Sequence, residues 1–72
     1  MDAKEYAGTE LEFMAALIAE AKRGFDSGEI TKEEYVELLA DIKRSGDIEA
    51  IADDAVLAGK FLTGISLLMK AV

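Results

Sequence analysis

Apolar residues recur at steps of three and four along most of the chain, and no stretch alternates in the period of two that a strand requires. The pattern predicts an all-α protein. A first stripe of Leu11, Met14, Ile18, Ala21 and Phe25 marks one face of a helix over about 9–26. Thr9 and Glu12 have capping-box spacing at its start, and Asp2 with Glu5 offers an earlier start of the same kind, interrupted by Gly8. Asp26-Ser27-Gly28 supplies turn chemistry at its end, with Gly28 suited to the left-handed position after a helix. A second helix is predicted over about 32–44. Thr31 and Glu34 form its capping box, Ile30 and Tyr35 can staple its entry, and Leu38, Leu39 and Ile42 continue the buried face. Lys43 and Arg44 suit the dipole in its last turn, and Gly46 ends it. The two segments are expected to form an antiparallel hairpin.

Asp47 then caps a third helix expected over about 48–71, roughly 37 Å long at about 1.5 Å per residue. Ile48, Ile51, Ala55, Ala58, Leu62, Ile65, Met69 and Val72 keep the heptad spacing of a coiled-coil seam. A line of small residues, Ala52, Ala55, Gly59, Thr63 and Ser66, runs beside it, and Val56, Leu57, Phe61, Leu67 and Leu68 make the helix apolar nearly all round. Two short helices cannot cover such a perimeter, so the third helix is expected to bury one side against the hairpin and another against a second chain. The residues assigned to that partner or oligomer interface are Ala55, Ala58, Gly59, Phe61, Leu62, Ile65, Leu68, Met69 and Val72. Residues 1–72 read as a single helical domain in which residues 1–8 are expected to fray.

Composition sharpens this picture. A chain of 72 residues buries a small share of its surface, and domains of this size usually add a disulfide, a metal or a second subunit. The absence of Cys and His removes the first and disfavours a zinc site, which leaves association with another chain. Hydrophobic residues make up 51% of the sequence and Pro is absent, so the chain is expected to fold rather than stay disordered. No basic n-region precedes an apolar stretch at Met1-Asp2-Ala3-Lys4-Glu5, and together with the lack of Cys this predicts the cytoplasm, or a virion or other cytoplasmic assembly.

Charge is unevenly placed. Residues 1–54 carry all fifteen acidic side chains and a net −9, while residues 55–72 carry only Lys60 and Lys70, within a total of −7. Such a surface repels phosphate backbones and anionic headgroups, so direct nucleic-acid binding is not expected. Residues 55–72 approach the length of a membrane span, but Lys60 lies inside them and Gly59, Thr63, Gly64 and Ser66 dilute them. A surface-lying amphipathic helix is the form of membrane contact that remains.

Candidate chemistry is sparse. Glu33, Glu37 and Asp41 share one helical face at steps of four, and Asp53 and Asp54 are adjacent, but a di-metal carboxylate site would normally add His ligands. The acids read as a solvated face. Ser and Thr hydroxyls have no His to activate them, and no phosphate-cradling glycine loop can be written. No enzyme and no cofactor are therefore expected. The string Gly28-Glu29-Ile30-Thr31-Lys32-Glu33-Glu34-Tyr35 has the form of the second half of an EF-hand loop, yet the first and third ligand positions would fall on Arg23 and Phe25, which cannot bind calcium. That string, within Leu17 to Ile42, also resembles the SHOCT type of short helical hairpin. The resemblance covers about a third of the chain and implies a helical hairpin that serves as an oligomerisation module, with no catalytic residues.

These readings converge on a non-enzymatic helical protein for oligomerisation or protein–protein interaction, such as a small structural or accessory component of a phage or bacterial assembly. Its expected partner is a second copy or another helical protein. An alternative is an acidic inhibitor, antitoxin or nucleic-acid mimic that presents Glu33, Glu37 and Asp41 to a basic groove. A third reading is a membrane-surface helix regulator.

Overall fold

A computed structural model describes residues 3–45, 47–52 and 54–72. Asp2, Gly46 and Asp53, read above as a cap, a helix stop and one of two adjacent acids, lie outside the described residues. The described chain is all-helical: a 3-10 turn at Ala3–Tyr6, then α1 at Glu12–Asp26, α2 at Lys32–Ser45, α3 at Ile48–Ile51 and α4 at Ala55–Lys70.

The start of α1 lies two residues later than Thr9 as an N-cap would place it, with Leu11 at the cap position. The Thr9 hydroxyl donates to the Tyr6 carbonyl at 2.6 Å and accepts from the Leu11 N–H at 3.2 Å, while Glu12 reaches back to the Gly8 N–H at 2.9 Å. Thr9 and Glu12 thus tie the helix to the 3-10 turn before it instead of closing a box on each other. The other end of α1 follows its residues closely. The Glu29 N–H donates to the Gly24 carbonyl at 2.8 Å and the Gly28 N–H to the Phe25 carbonyl at 3.1 Å, with Gly28 at φ +83°. This is the Schellman arrangement, which needs a left-handed residue and so selects Gly.

The α2 start matches its prediction in both bonds. The Thr31 N–H donates to Glu34 Oε1 at 3.0 Å and the Glu34 N–H donates to Thr31 Oγ1 at 3.1 Å. Across the loop, Phe25 and Tyr35 stack with ring centroids 4.8 Å apart and planes 4° from parallel. The helices α1 and α2 pack against each other, α4 packs on α2, and α3 packs on α4.

The single third helix expected over 48–71 is a correction. Asp47 stands at φ 48° and makes no side-chain cap bond to α3. Ala52 and Asp54 are extended, and Asp54 begins a new helix, its carboxylate accepting from the Val56 N–H at 2.8 Å. Asp is a poor residue inside a helix and a strong one at its N-cap, so the carboxylate favours the break. The break also lets Ile48 and Ala52 enter the core beside Ala58, Phe61, Ile65 and Leu68.

The fraying expected of residues 1–8 does not extend to Tyr6. Tyr6 is 1% exposed and meets Phe61, itself fully buried, edge to face at 4.9 Å and 82°. Such an aromatic pair contributes about 0.5–1.5 kcal/mol beyond the burial of its area, enough to hold a short turn against the bundle. Lys60 Nζ, 3.4 Å from Glu5 Oε2, adds an exposed ion pair between the same two segments. On the far side, Lys43 Nζ donates to Ser66 Oγ at 3.0 Å and links α2 to α4.

Candidate interaction surfaces

With the core closed by Tyr6, α3 and the two helices α1 and α2, the buried side of α4 is the arc Ala58, Phe61, Ile65 and Leu68. For these four residues the interface assignment made from the heptad seam is corrected. Those four residues face the chain's own core and have no surface to offer a partner. Leu62, Met69 and Val72 are half-buried against that core, leaving Ala55 and Gly59 exposed. The arc shares Ala58 and Ile65 with the seam but is displaced toward Phe61 and Leu68, which are buried where Leu62 and Met69 are only half-buried. Phe61 is held there by Tyr6, a residue more than fifty positions away in sequence.

The opposite side of α4 stays open. Val56, Lys60, Thr63, Leu67 and Lys70 follow one another at steps of four and three, and all five are exposed. Val56 is 78% and Leu67 61% exposed, although both are apolar. Between them Gly59 has no neighbour within 4 Å of where a β-carbon would sit. A shallow hollow of about 600 Å³ runs along this side, lined by Val56, Gly59, Lys60, Thr63 and Leu67 with Glu5 and Tyr6 at its edge. The α4 sequence carries two lysines and no acid.

A second open surface lies between α1 and α2. Leu17, Ala21 and Gly24 from α1, with Leu38 and Ile42 from α2 and Ile30 from the loop, line a groove of about 420 Å³. Glu20, Glu29 and Asp41 stand around it. Phe13, 74% exposed, lies one turn before Leu17 on the same face of α1 and extends the apolar strip. Leu38, assigned to the buried face from its spacing, is instead largely open to solvent here. Phe13 and Leu17 were legible only as apolar residues off the first stripe, a signal too weak to separate a surface from a core.

The acids fall where a solvated face places them. Glu33, Glu37 and Asp41 are all exposed, and Asp41 pairs with Arg44 one turn on. Glu34, the last residue of the EF-hand-like string, is engaged by the Thr31 N–H. Among the described residues no group of three or more Asp and Glu side chains converges as metal ligands would. Burial raises the Tyr6 phenol above its ordinary value, an effect opposed by Lys60, and burial likewise raises that of Tyr35, opposed by Lys22. No described helix is long and apolar enough to cross a membrane. Comparison with known protein families, with curated proteins and with solved structures finds no match to the chain.

Proposed function

We propose that this chain is a non-enzymatic helical interaction protein that associates with a second copy or another helical protein, as a small structural or accessory part of a larger assembly. The observation that carries this reading is the outer side of α4, where Val56 and Leu67 stay in water although the core is complete. Scattered single apolar residues are ordinary on a surface, but here two large ones stand on one straight stripe with the open Gly59 position between them. A stripe of that shape suits the close approach of another helix. The SHOCT-type resemblance of residues 17–42 supports the same class of function.

Sedimentation velocity over a concentration series tests the reading. Mass is expected to rise with concentration, and Val56→Glu with Leu67→Glu is expected to abolish the rise while leaving helicity intact. A native chain that stays monomeric up to about 1 mM and captures no helical partner would overturn the reading, because even a weak contact of about 4 kcal/mol is populated at that concentration.

The exposure of Glu33, Glu37 and Asp41 favours one second reading, an acidic inhibitor, antitoxin or nucleic-acid mimic directed at a basic groove. Its mark is a basic partner released by salt and lost when these three residues are reversed to Lys.

A further inference from the structure

The two open surfaces differ in charge in a way that assigns them to each other. The α4 stripe carries Lys60 and Lys70 beside Val56 and Leu67, and α4 contributes no acid to it. Glu5 approaches Lys60 at 3.4 Å from the 3-10 turn and offsets part of that charge, yet the Lys60 side chain remains 60% exposed. The α1–α2 groove has an apolar floor of Leu17, Ala21, Leu38 and Ile42 with Glu20 and Glu29 at its rim. Asp41 also borders it, paired with Arg44.

The α1 side of the groove runs from Leu17 to Gly24, about 10 Å of helix, and Phe13, one turn earlier on the same face, extends it toward the roughly 16 Å between Val56 and Leu67. We infer that the groove between α1 and α2 of one copy receives the outer stripe of α4 from a second copy, with Val56 and Leu67 on the apolar floor and Lys60 and Lys70 toward the acidic rim.

This deepens the self-association reading above and rests on it. Two different surfaces are joined, so the contact is heterologous. The pair keeps one free groove, on one copy, and one free α4 stripe, on the other, and association continues head to tail. The opposite pairing, α4 stripe on α4 stripe, brings lysines to lysines, and groove on groove brings acids to acids. A three-turn helix in a groove lies at the small end of specific interfaces, so each contact is weak and assembly depends steeply on concentration.

The test mixes two variants, Leu38→Glu to spoil the groove and Leu67→Glu to spoil the stripe, with each mass read by sedimentation velocity. Both sites are exposed, and circular dichroism verifies that each variant keeps its helices. The native chain is expected to form a series of growing species. Each variant alone is expected to lose association by about tenfold or more. An equimolar mixture is expected to form a dimer and stop there, because the Leu38→Glu copy still offers its stripe and the Leu67→Glu copy its groove.

If Leu38→Glu associates as the native chain does, the inference falls while the self-association reading stands. If the native chain is monomeric at about 1 mM, self-association itself fails, since a contact of about 4 kcal/mol would be visible there. An NMR dilution series on the unmodified chain gives an independent reading. Shifts are expected at both Leu17/Leu38 and Val56/Leu67, and shifts confined to either pair would overturn the heterologous contact.

Discussion

The α1–α2 unit and the α3–α4 unit are both built from strongly helical sequence with regular apolar spacing, yet the helix ends announced by local residues are kept at the α1–α2 turn and not between α3 and α4. In α1–α2 the signals that end and start the helices are local. The Gly24, Phe25, Gly28 and Glu29 bonds and the Thr31–Glu34 box join residues no more than five apart. In α3–α4 the apolar residues run nearly all round the helix, so several arcs compete to face inward. Tyr6, arriving from the N-terminal turn, selects the arc through Phe61. A narrow stripe specifies its own orientation, whereas surplus apolar surface leaves orientation to whatever packs against it.

The largest effect separating the two arcs of α4 is expected at Phe61. Phe61→Ala removes a fully buried ring and should cost about 3–5 kcal/mol, against about 2 kcal/mol or less for Leu62→Ala, which empties a half-buried site. Urea denaturation of both variants checks this, and equal losses would place Leu62 in the core on the same footing as Phe61. Next is Tyr6→Ala, expected to cost about 3 kcal/mol by the same measurement. A frayed terminus would cost less than about 0.5 kcal/mol.

The caps give a smaller effect with an informative sign. Thr31→Ala should cost about 1 kcal/mol in the α1–α2 unit, and Asp54→Ala about the same in the other, since each removes a side-chain acceptor for a backbone N–H. Were residues 48–71 one continuous helix, Asp54→Ala would instead stabilise by up to about 0.7 kcal/mol, because Ala is the better interior residue. Thermal melts with calorimetry distinguish the signs.

The subtlest contrast is alkaline. Burial holds the Tyr6 and Tyr35 phenols above their ordinary value of 10.0, so the unfolded chain loses these protons first. Stability from this source is complete below about pH 10 and falls as pH rises through the folded values. Tyr6→Phe and Tyr35→Phe, followed by denaturation midpoints at pH 8 and pH 11, should each flatten part of that fall.

The surfaces were less legible than the core. Val56 and Leu67 stand outside the seam in sequence, but which apolar arc of α4 faces water depends on what packs against the helix, Tyr6 included. Leu38 carries the spacing of a buried residue and lies open because α4 packs elsewhere on α2, where Lys43 meets Ser66. Glu33, Glu37 and Asp41 are exposed, as charged side chains are costly to bury wherever the chain folds.

By itself the sequence determined that the chain is helical, where α1 ends and α2 begins, which stripe of α1 turns inward and how charge divides between the N-terminal portion and α4. These follow from bonds and spacings within a turn or two, whose energies do not depend on distant residues. Only tertiary structure decided that Ile48 and Ala52 join the core, that Tyr6 belongs to it and that α4 presents Val56 and Leu67 rather than Ile65 and Leu68. Those choices compare alternative ways of burying the same apolar surface, and the difference between them is set by contacts among segments far apart in the chain.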